Sequence, residues 1–534
     1  MGPRGLGAIE ALCRLPPAAG VQVAIDAYDE AEHPGAGPNF SLDEPKECLL
    51  NLPIRSVALP RPAAGAGVGG FAEWLGDDGE DRDRFPARAE LGAYLSARFA
   101  ELTTCLPDWV SLSLRRASVS ALKRMDAGWV LDVGGERQGP YREVLIVPGQ
   151  PATRPDPVLE RWRAFAAERG LDLAAAYPGG RLLDAAAGWA GKSVGVRGLG
   201  LSTLDIVRML TLGLGGRFRD GGYVRSGREP ARIVAFSPDG QAPAPKPRSA
   251  EVDALYDLTD RETQDFADAF ESALRLGRQD AVQAIHAAVS PPVLRILGRL
   301  GGEADADALA AWLTTETTSP GAQETGAAAD LLRRNIGYAD GAEPPTIGFV
   351  VGQAWRKLEA VARPIFRLGE PVPETAAALI AFDEGLKRYS YGPPIDTARQ
   401  LLALIRAGVV RPCALEDSDV ELDDDHWALS DAGERLRMDA MVDSVQPPPS
   451  LSAILDPALA GLMDAGLLTS AGEDLSADTC PDGQLVGRDG VTVPGLALLG
   501  RLALGSVIAP DSIHDCFGDS ADLWAQGAIE RLSA

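Results

Sequence analysis

The stretch Val196-Arg197-Gly198-Leu199-Gly200-Leu201-Ser202-Thr203 constrains the fold of this chain more than any other. It reads as the end of a short strand (Ser193 to Arg197), a glycine turn, and a helix from about Ser202 to Leu212. Such a turn uses glycine because a residue without a Cβ lets a pyrophosphate lie against the backbone, where the helix N-terminus receives its charge. Two of the three glycines of G-x-G-x-x-G are present, and Thr203 replaces the third. A chain organised around this turn builds a parallel sheet with helices on its faces.

A partial second copy opens the chain. Gly2 and Gly5 match the last two glycines of the same pattern, and a helix with apolar Leu6, Ile9, Leu12 and Cys13 follows, closed by Pro16-Pro17. Val21 to Ile25 reads as a strand ending on Asp26, the acid expected to take ribose hydroxyls. Asp26 falls 24 residues after Gly2, against a usual spacing of about 20. The first glycine and its strand have no counterpart, which leads us to expect a coding start further upstream and open edges in the middle of the first sheet. Two nucleotide turns separated by nearly 200 residues are the layout of a flavoprotein that binds FAD first and a nicotinamide dinucleotide second.

Composition narrows the partners. The 534 residues carry 51 Lys+Arg against 76 Asp+Glu, a formal net charge of -25, which disfavours nucleic acid and anionic membrane surfaces as partners. No apolar run approaches the length of a spanning helix, so a cytoplasmic location is expected. The six cysteines are scattered without a C-x-x-C pair, and neither they nor the four histidines cluster as metal ligands.

Along the chain we expect an α/β fold of two Rossmann-like dinucleotide-binding domains, of the three-layer ββα/FAD-NAD(P)-binding type, with a helical insertion. Residues 1–155 form the first part of the FAD-binding domain and 156–250 the NAD(P)-binding domain. A helical insertion covers 251–345, and a helical and mixed segment at 346–485 partly completes the NAD(P) domain. Residues 486–534 return to the FAD domain. Residues 60–70 and 76–84 read as loops, 240–250 as an extended linker and the acidic run at 416–425 as a loop or hairpin. Gly128 to Val133 and Glu143 to Val147 read as strands joined through a Gly-Gly turn, suggesting a hairpin or meander.

These residues resemble the bacterial FAD/NAD(P)-binding proteins whose N-terminus reads strand, then G-x-G-P-R-G. Gly2-Pro3-Arg4-Gly5 matches the end of that fingerprint. Gly35-Ala36-Gly37, Leu49-Leu50-Asn51-Leu52-Pro53 and Val144 to Gly149 resemble later family segments, as do Ser226-Gly227-Arg228-Glu229-Pro230, Tyr389-Ser390-Tyr391-Gly392-Pro393-Pro394 and Val493 to Arg501. The resemblance implies FAD contacts at Gly2, Arg4, Gly5, Asp26, Asn51 and Gly149, with Gly500 on the returning C-terminal strand. The nicotinamide nucleotide would lie over Gly198, Gly200 and Thr203. Pro148 departs from the family pattern by removing an N–H donor beside the flavin.

The resulting expectation is an FAD- and NAD(P)H-dependent oxidoreductase acting on a small molecule, with flavin monooxygenation as the reaction and N-hydroxylation as its refinement. Its rival is a non-catalytic nucleotide-binding or regulatory protein with a decayed FAD site. The strand Ile233 to Phe236 ends at Ser237 rather than an acid, which leans toward NADPH. Gly191-Lys192-Ser193 lacks the first glycine of a P-loop, and His514-Asp515-Cys516 reads as packing rather than as a nucleophile. The residue pattern assigns no catalytic side chain, substrate or oligomeric state.

Overall fold

The computed structural model describes every residue except 63–66, 77, 78, 80, 474 and 534, so parts of the two expected loops at 60–70 and 76–84 lie outside the described residues. In the first unit, helix α1 (Pro3–Cys13) precedes β1 (Val23–Tyr28), α2 (Arg88–Thr104), β2 (Val110–Arg115) and β3 (Val144–Ile146). The second unit contains β4 (Asp172–Ala175), β5 (Ser193–Arg197), α3 (Leu201–Arg208) and β6 (Arg232–Ser237). A helical block between Asp260 and Arg406 includes α4 (Ile347–Gly369) and α5 (Pro373–Ser390). The chain then supplies β7 (Val410–Ala414), β8 (Ala440–Asp443), β9 (Thr492–Leu498) and the closing helix α6 (Asp519–Ser533).

The second sheet has five strands in the order β7-β6-β5-β8-β4, and every pairing is parallel. Its central strands read as continuous apolar runs because both faces are covered. Val194, Val196, Ile233, Val234, Ala235, Phe236, Ala440, Met441 and Val442 are all buried. β7 and β8 come from beyond the helical block, so the unit closes only after the chain has left it and returned.

The first unit is assembled from both ends of the chain. β1 pairs in parallel with β2, and β3 pairs in parallel with β9. Among the described residues no strand joins these two pairs. A shared core ties them together: Leu6, Ile9 and Leu12 of α1, Leu91, Tyr94, Leu95 and Phe99 of α2, Ala497 of β9 and Trp524, Ala525 and Ala528 of α6.

Three local expectations need correction. Gly128–Val133 pairs across Gly134-Gly135 with Glu136–Tyr141, while β3 joins the other sheet, because its apolar residues are shared with β9. The first strand begins at Val23 and runs to Tyr28, so Asp26 lies within it rather than at its end. Residues 240–250 are no solvated linker: Ala244 to Lys246 are buried, and Ala244 and Lys246 donate their amides to the carbonyls of Arg388 (2.9 Å) and Pro393 (3.0 Å). The acidic run does form a hairpin, Glu421–Asp423 against His426–Asp431. No helix among the described residues is long and apolar enough to cross a membrane.

Candidate functional site

The second glycine turn has the strand, turn and helix that its sequence implies. β5 ends at Arg197, Gly198 turns with φ +99°, and Gly200 is the extended N-cap residue of α3. The Gly198 amide donates to Phe236 O at the end of β6 (2.8 Å), which holds the turn at the carboxyl edge of the sheet. A Cβ at position 198 would sit 2.7 Å from Ser444 Oγ, whereas one at Gly200 would meet nothing within 4 Å. The first glycine is therefore needed for packing and the second leaves open space over the helix N-terminus. Thr203 is fully buried, and its hydroxyl donates to Gly198 O (2.8 Å) and shares a 2.8 Å hydrogen bond with Ser444 Oγ. It closes the turn from within.

Arg197 marks the same edge with buried charge. Its guanidinium pairs with Asp156 (2.7 Å), Asp417 (2.6 Å) and Asp443 (3.5 Å). Beyond β6, Ser237 Oγ donates to Asp239 (2.8 Å), whose carboxylate also pairs with Arg388 (2.6 Å). The Ser226–Pro230 segment is shaped by Glu229, which accepts from the Ser226 amide (2.6 Å), the Gly227 amide (2.8 Å) and the Tyr223 hydroxyl (2.7 Å). Burial opposes its ionisation, but these donors prevail and hold the carboxyl at about 2.

At the other turn, Gly2 is the extended N-cap of α1, with no side-chain cap bond. The loop carrying Gly35 and Gly37 folds over it. A Cβ at Gly37 (φ +67°) would approach Gly2 Cα at 3.1 Å and Pro3 Cδ at 3.3 Å. The Met1 α-amino group pairs with Asp29, immediately beyond β1. Asp26 instead accepts a hydrogen bond from the Tyr141 hydroxyl (2.7 Å). Arg4 faces the C-terminal segment, donating to Pro510 O (2.9 Å) and pairing with Asp515 (2.8 Å), and a Cβ on Gly500 would lie 3.0 Å from its Nε. Burial raises the pKa of Asp515, yet Arg4, Arg367 and the Ser520 hydroxyl outweigh it and keep the carboxyl below its ordinary range. Gly5 packs beside Met1 and Val147. Asn51 presents its carbonyl to Lys246 (2.5 Å).

Orphaned polar atoms mark the space between these elements. Both amide atoms of Gln150 are buried without a partner, one residue past Gly149, and an added Cβ at Gly149 would meet nothing within 4 Å. Arg501 Nε is likewise buried and unpartnered, next to Gly500. Buried polar groups are normally paired, so these residues fit a polar cofactor lying along β3 and β9. Among the described residues no cluster of three or more His, Cys, Asp or Glu side chains is arranged to hold a metal ion.

The two units are clamped together beside the turns. Arg88 of α2 pairs with the buried Asp205 of α3 (2.5 Å), which also accepts from the Tyr177 hydroxyl (2.6 Å), and Arg208 Nε donates to Glu47 O (2.8 Å).

Residues 1–151 match the protein-family model described as FAD-NAD(P)-binding. Over 259 residues, the chain is 30% identical to nitrosuccinic acid synthase from Aspergillus oryzae, covering 45% of this chain and 39% of that protein. It is also 30% identical over 280 residues to the nitrosuccinate-forming L-aspartate N-monooxygenase of Streptomyces davaonensis, covering 45% and 42%. The matches thus span about two fifths of the length of these curated relatives. Among solved structures, the ornithine N-hydroxylase of Kutzneria sp. 744, in complex with reduced FAD, NADP+ and L-ornithine, superposes with a TM-score of 0.51 at 13% identity, covering 100% of this chain and 98% of that one. The fold is accordingly α/β with two Rossmann-like dinucleotide-binding domains.

Reading the sequence brought Gly198, Gly200 and Thr203 to one turn correctly, because strand, turn and helix are contiguous there. It did not single out Asp29, Gln150, Asp239 or Arg501, which the structure places beside the two turns or the strands that flank them. Asp29 was legible only through Tyr28, whose preference for strands extends β1 past Asp26. Gln150, Asp239 and Arg501 had no local signal, since their environments are made by residues distant in the chain.

Proposed function

We propose that this protein is an FAD- and NAD(P)H-dependent monooxygenase that N-hydroxylates a small amine. The observation that carries the reading is the pairing of two glycine-turn helix N-termini, each at the edge of a parallel pair or sheet, in a chain whose curated relatives include a nitrosuccinate-forming L-aspartate N-monooxygenase and a nitrosuccinic acid synthase. Residues 1–155 with 486–534 would form the FAD-binding domain, and 156–250 with 346–485 the NAD(P)-binding one. Bound FAD would supply the redox chemistry, accepting electrons from the nicotinamide and activating O₂.

The protein's own contribution is placement. Gly2 and Gly5 bring the N-terminus of α1 to the pyrophosphate, and Arg4 positions that helix by gripping the C-terminal segment through Asp515. Asp29, just beyond β1, would receive the ribose. Asn51, Gly149, Gln150, Gly500 and Arg501 border the flavin, where the unpartnered Gln150 amide gains hydrogen bonds. Gly198 and Gly200 seat the nicotinamide nucleotide, and Thr203 stiffens their turn.

The test is direct. The purified protein, supplied with FAD, is expected to show flavin absorbance and to oxidise NADPH or NADH faster when L-aspartate or L-ornithine is present, with the N-oxidised product detected by mass spectrometry. Failure to retain flavin or to oxidise either nucleotide overturns the reading.

A further inference from the structure

The buried segment before Arg248 delivers one side chain to the junction between the units. Lys246 is only 6% exposed, and its Nζ donates to the Asn51 carbonyl at 2.5 Å. Among the described residues no carboxylate lies within ion-pair distance of it.

The neighbouring acids are already engaged by other cations. Asp253 is shared by Arg55 (3.6 Å), Arg356 and Lys357 (3.2 Å). Glu359 takes Arg363 (3.6 Å) and the Tyr391 hydroxyl (3.0 Å). Asp383 accepts from Trp355 Nε1 (2.8 Å), and burial, with Glu359 nearby, raises its carboxyl above the ordinary range. Arg363 Nε is itself buried without a partner. His514 Nε2 hydrogen-bonds the Ser56 carbonyl (2.8 Å), and burial, with Arg363 and Lys246 nearby, lowers the pKa of its ring. Burial first, then Arg356, pushes the Lys246 ammonium down to about 7.

A buried cation with one carbonyl partner is costly. Arg55 and Lys357 have further carboxylates in Asp83 (2.5 Å) and Asp257 (2.7 Å), which leaves Lys246 as the cation of this cluster whose only partner among the described residues is a carbonyl, beside the unpartnered Arg363 Nε. The Asn51 segment that Lys246 touches is the one assigned above to the flavin border.

We propose that Lys246 is the carboxylate anchor of the substrate site, holding an acidic amine substrate by one carboxylate at Nζ, with Arg363 Nε as the second donor. This rests on the monooxygenase reading and adds to it the class of substrate, an amine bearing a carboxylate, and the residue that selects it. The carbonyl of Asn51 orients the ammonium and cannot itself neutralise it, so the bound carboxylate completes the ion pair.

The experiment is calorimetry on the FAD-supplied protein without nucleotide or turnover, titrating succinate, uncharged succinamide and inorganic phosphate. Succinate is expected to bind at least ten times more tightly than succinamide and more tightly than phosphate. Lys246→Met is expected to weaken succinate binding by about ten- to hundred-fold, the scale of a lost charge-assisted hydrogen bond, while Lys246→Arg restores most of it. Equal affinity for succinate and succinamide, tighter binding of phosphate, or a Lys246→Met change within twofold overturns the proposal. If Lys246→Met does not fold, the wild-type discrimination and Lys246→Arg still decide. No redox reading enters this assay, so a protein that never oxidises NADPH could still pass it, and an active one could fail.

Discussion

Replacing Arg98 by Met tests what holds the first nucleotide helix in place. Arg98 lies on α2 with its side chain fully buried, and Glu10 lies on α1 with its side chain 1% exposed. The two form a bidentate pair, Nε to Oε1 at 2.6 Å and the terminal nitrogen to Oε2 at 2.5 Å. The other terminal nitrogen donates to the Tyr94 hydroxyl (3.2 Å), and the guanidinium covers the Phe517 ring at 4.6 Å. The pair thus ties α1, α2 and the C-terminal segment at one point. Arg98→Met keeps much of the volume but strands the Glu10 carboxylate in the core, a loss of about 3–5 kcal/mol. In a unit of this size that lowers the melting temperature by about 10 °C.

The companion variant is Glu10→Leu with Arg98→Met. Removing both charges avoids the unpaired ion, so the double variant is expected to recover most of the loss and to approach wild type. Thermal unfolding followed by tryptophan fluorescence reads both, because Trp524 belongs to the same core. A shift under about 2 °C for Arg98→Met, or a double variant no better than the single one, would refute the argument that the carboxylate is held only by this arginine.

Glu229→Gln is expected to remove a pH-dependent part of the stability. The Glu229 carboxyl falls from an unfolded value of 4.5 to about 2 on folding, so its contribution is complete above about pH 4.5 and disappears as the pH falls toward 2. The melting-temperature gap between wild type and variant should shrink across that window, and a constant gap would refute the assignment. Asp29→Ala should weaken FAD binding by about tenfold, in line with a lost hydrogen bond to a charged group, and by more than Asp26→Ala does; the opposite order in flavin titrations would return the ribose role to Asp26. Gly198→Ala forces a Cβ to within 2.7 Å of Ser444 Oγ at φ +99°, a strain of about 1–3 kcal/mol. It should raise the Michaelis constant for NADPH while leaving flavin binding intact, and an unchanged constant would show that the turn does not receive the nucleotide.

Much of the architecture was legible because it is written locally. The Ser193–Thr203 run names its strand, turn and helix within eleven contiguous residues, and β-branched and apolar residues in β5 and β6 announce strands buried on both faces. Helix α2 and the acidic hairpin follow from periodicity and charge in the same way. The partner of Gly128–Val133 was misread because two strand-like stretches with a Gly-Gly turn between them look alike whether they pair or part. β3 leaves for β9, which lies about 350 residues further on. The proline-rich segment at 243–247 resembles a linker in composition, and only the carbonyls of Arg388 and Pro393 make it a buried strap.

The two glycine turns, the acidic surface and the order of strands and helices were determined by the sequence alone, since each depends on neighbours within a turn or a strand. The tertiary structure decided which acid stands beyond β1, what Arg4 grips, and that Lys246 reaches Asn51. Those choices depend on burial and on the distance between charges, and both are set by residues up to 511 positions apart that no local pattern links.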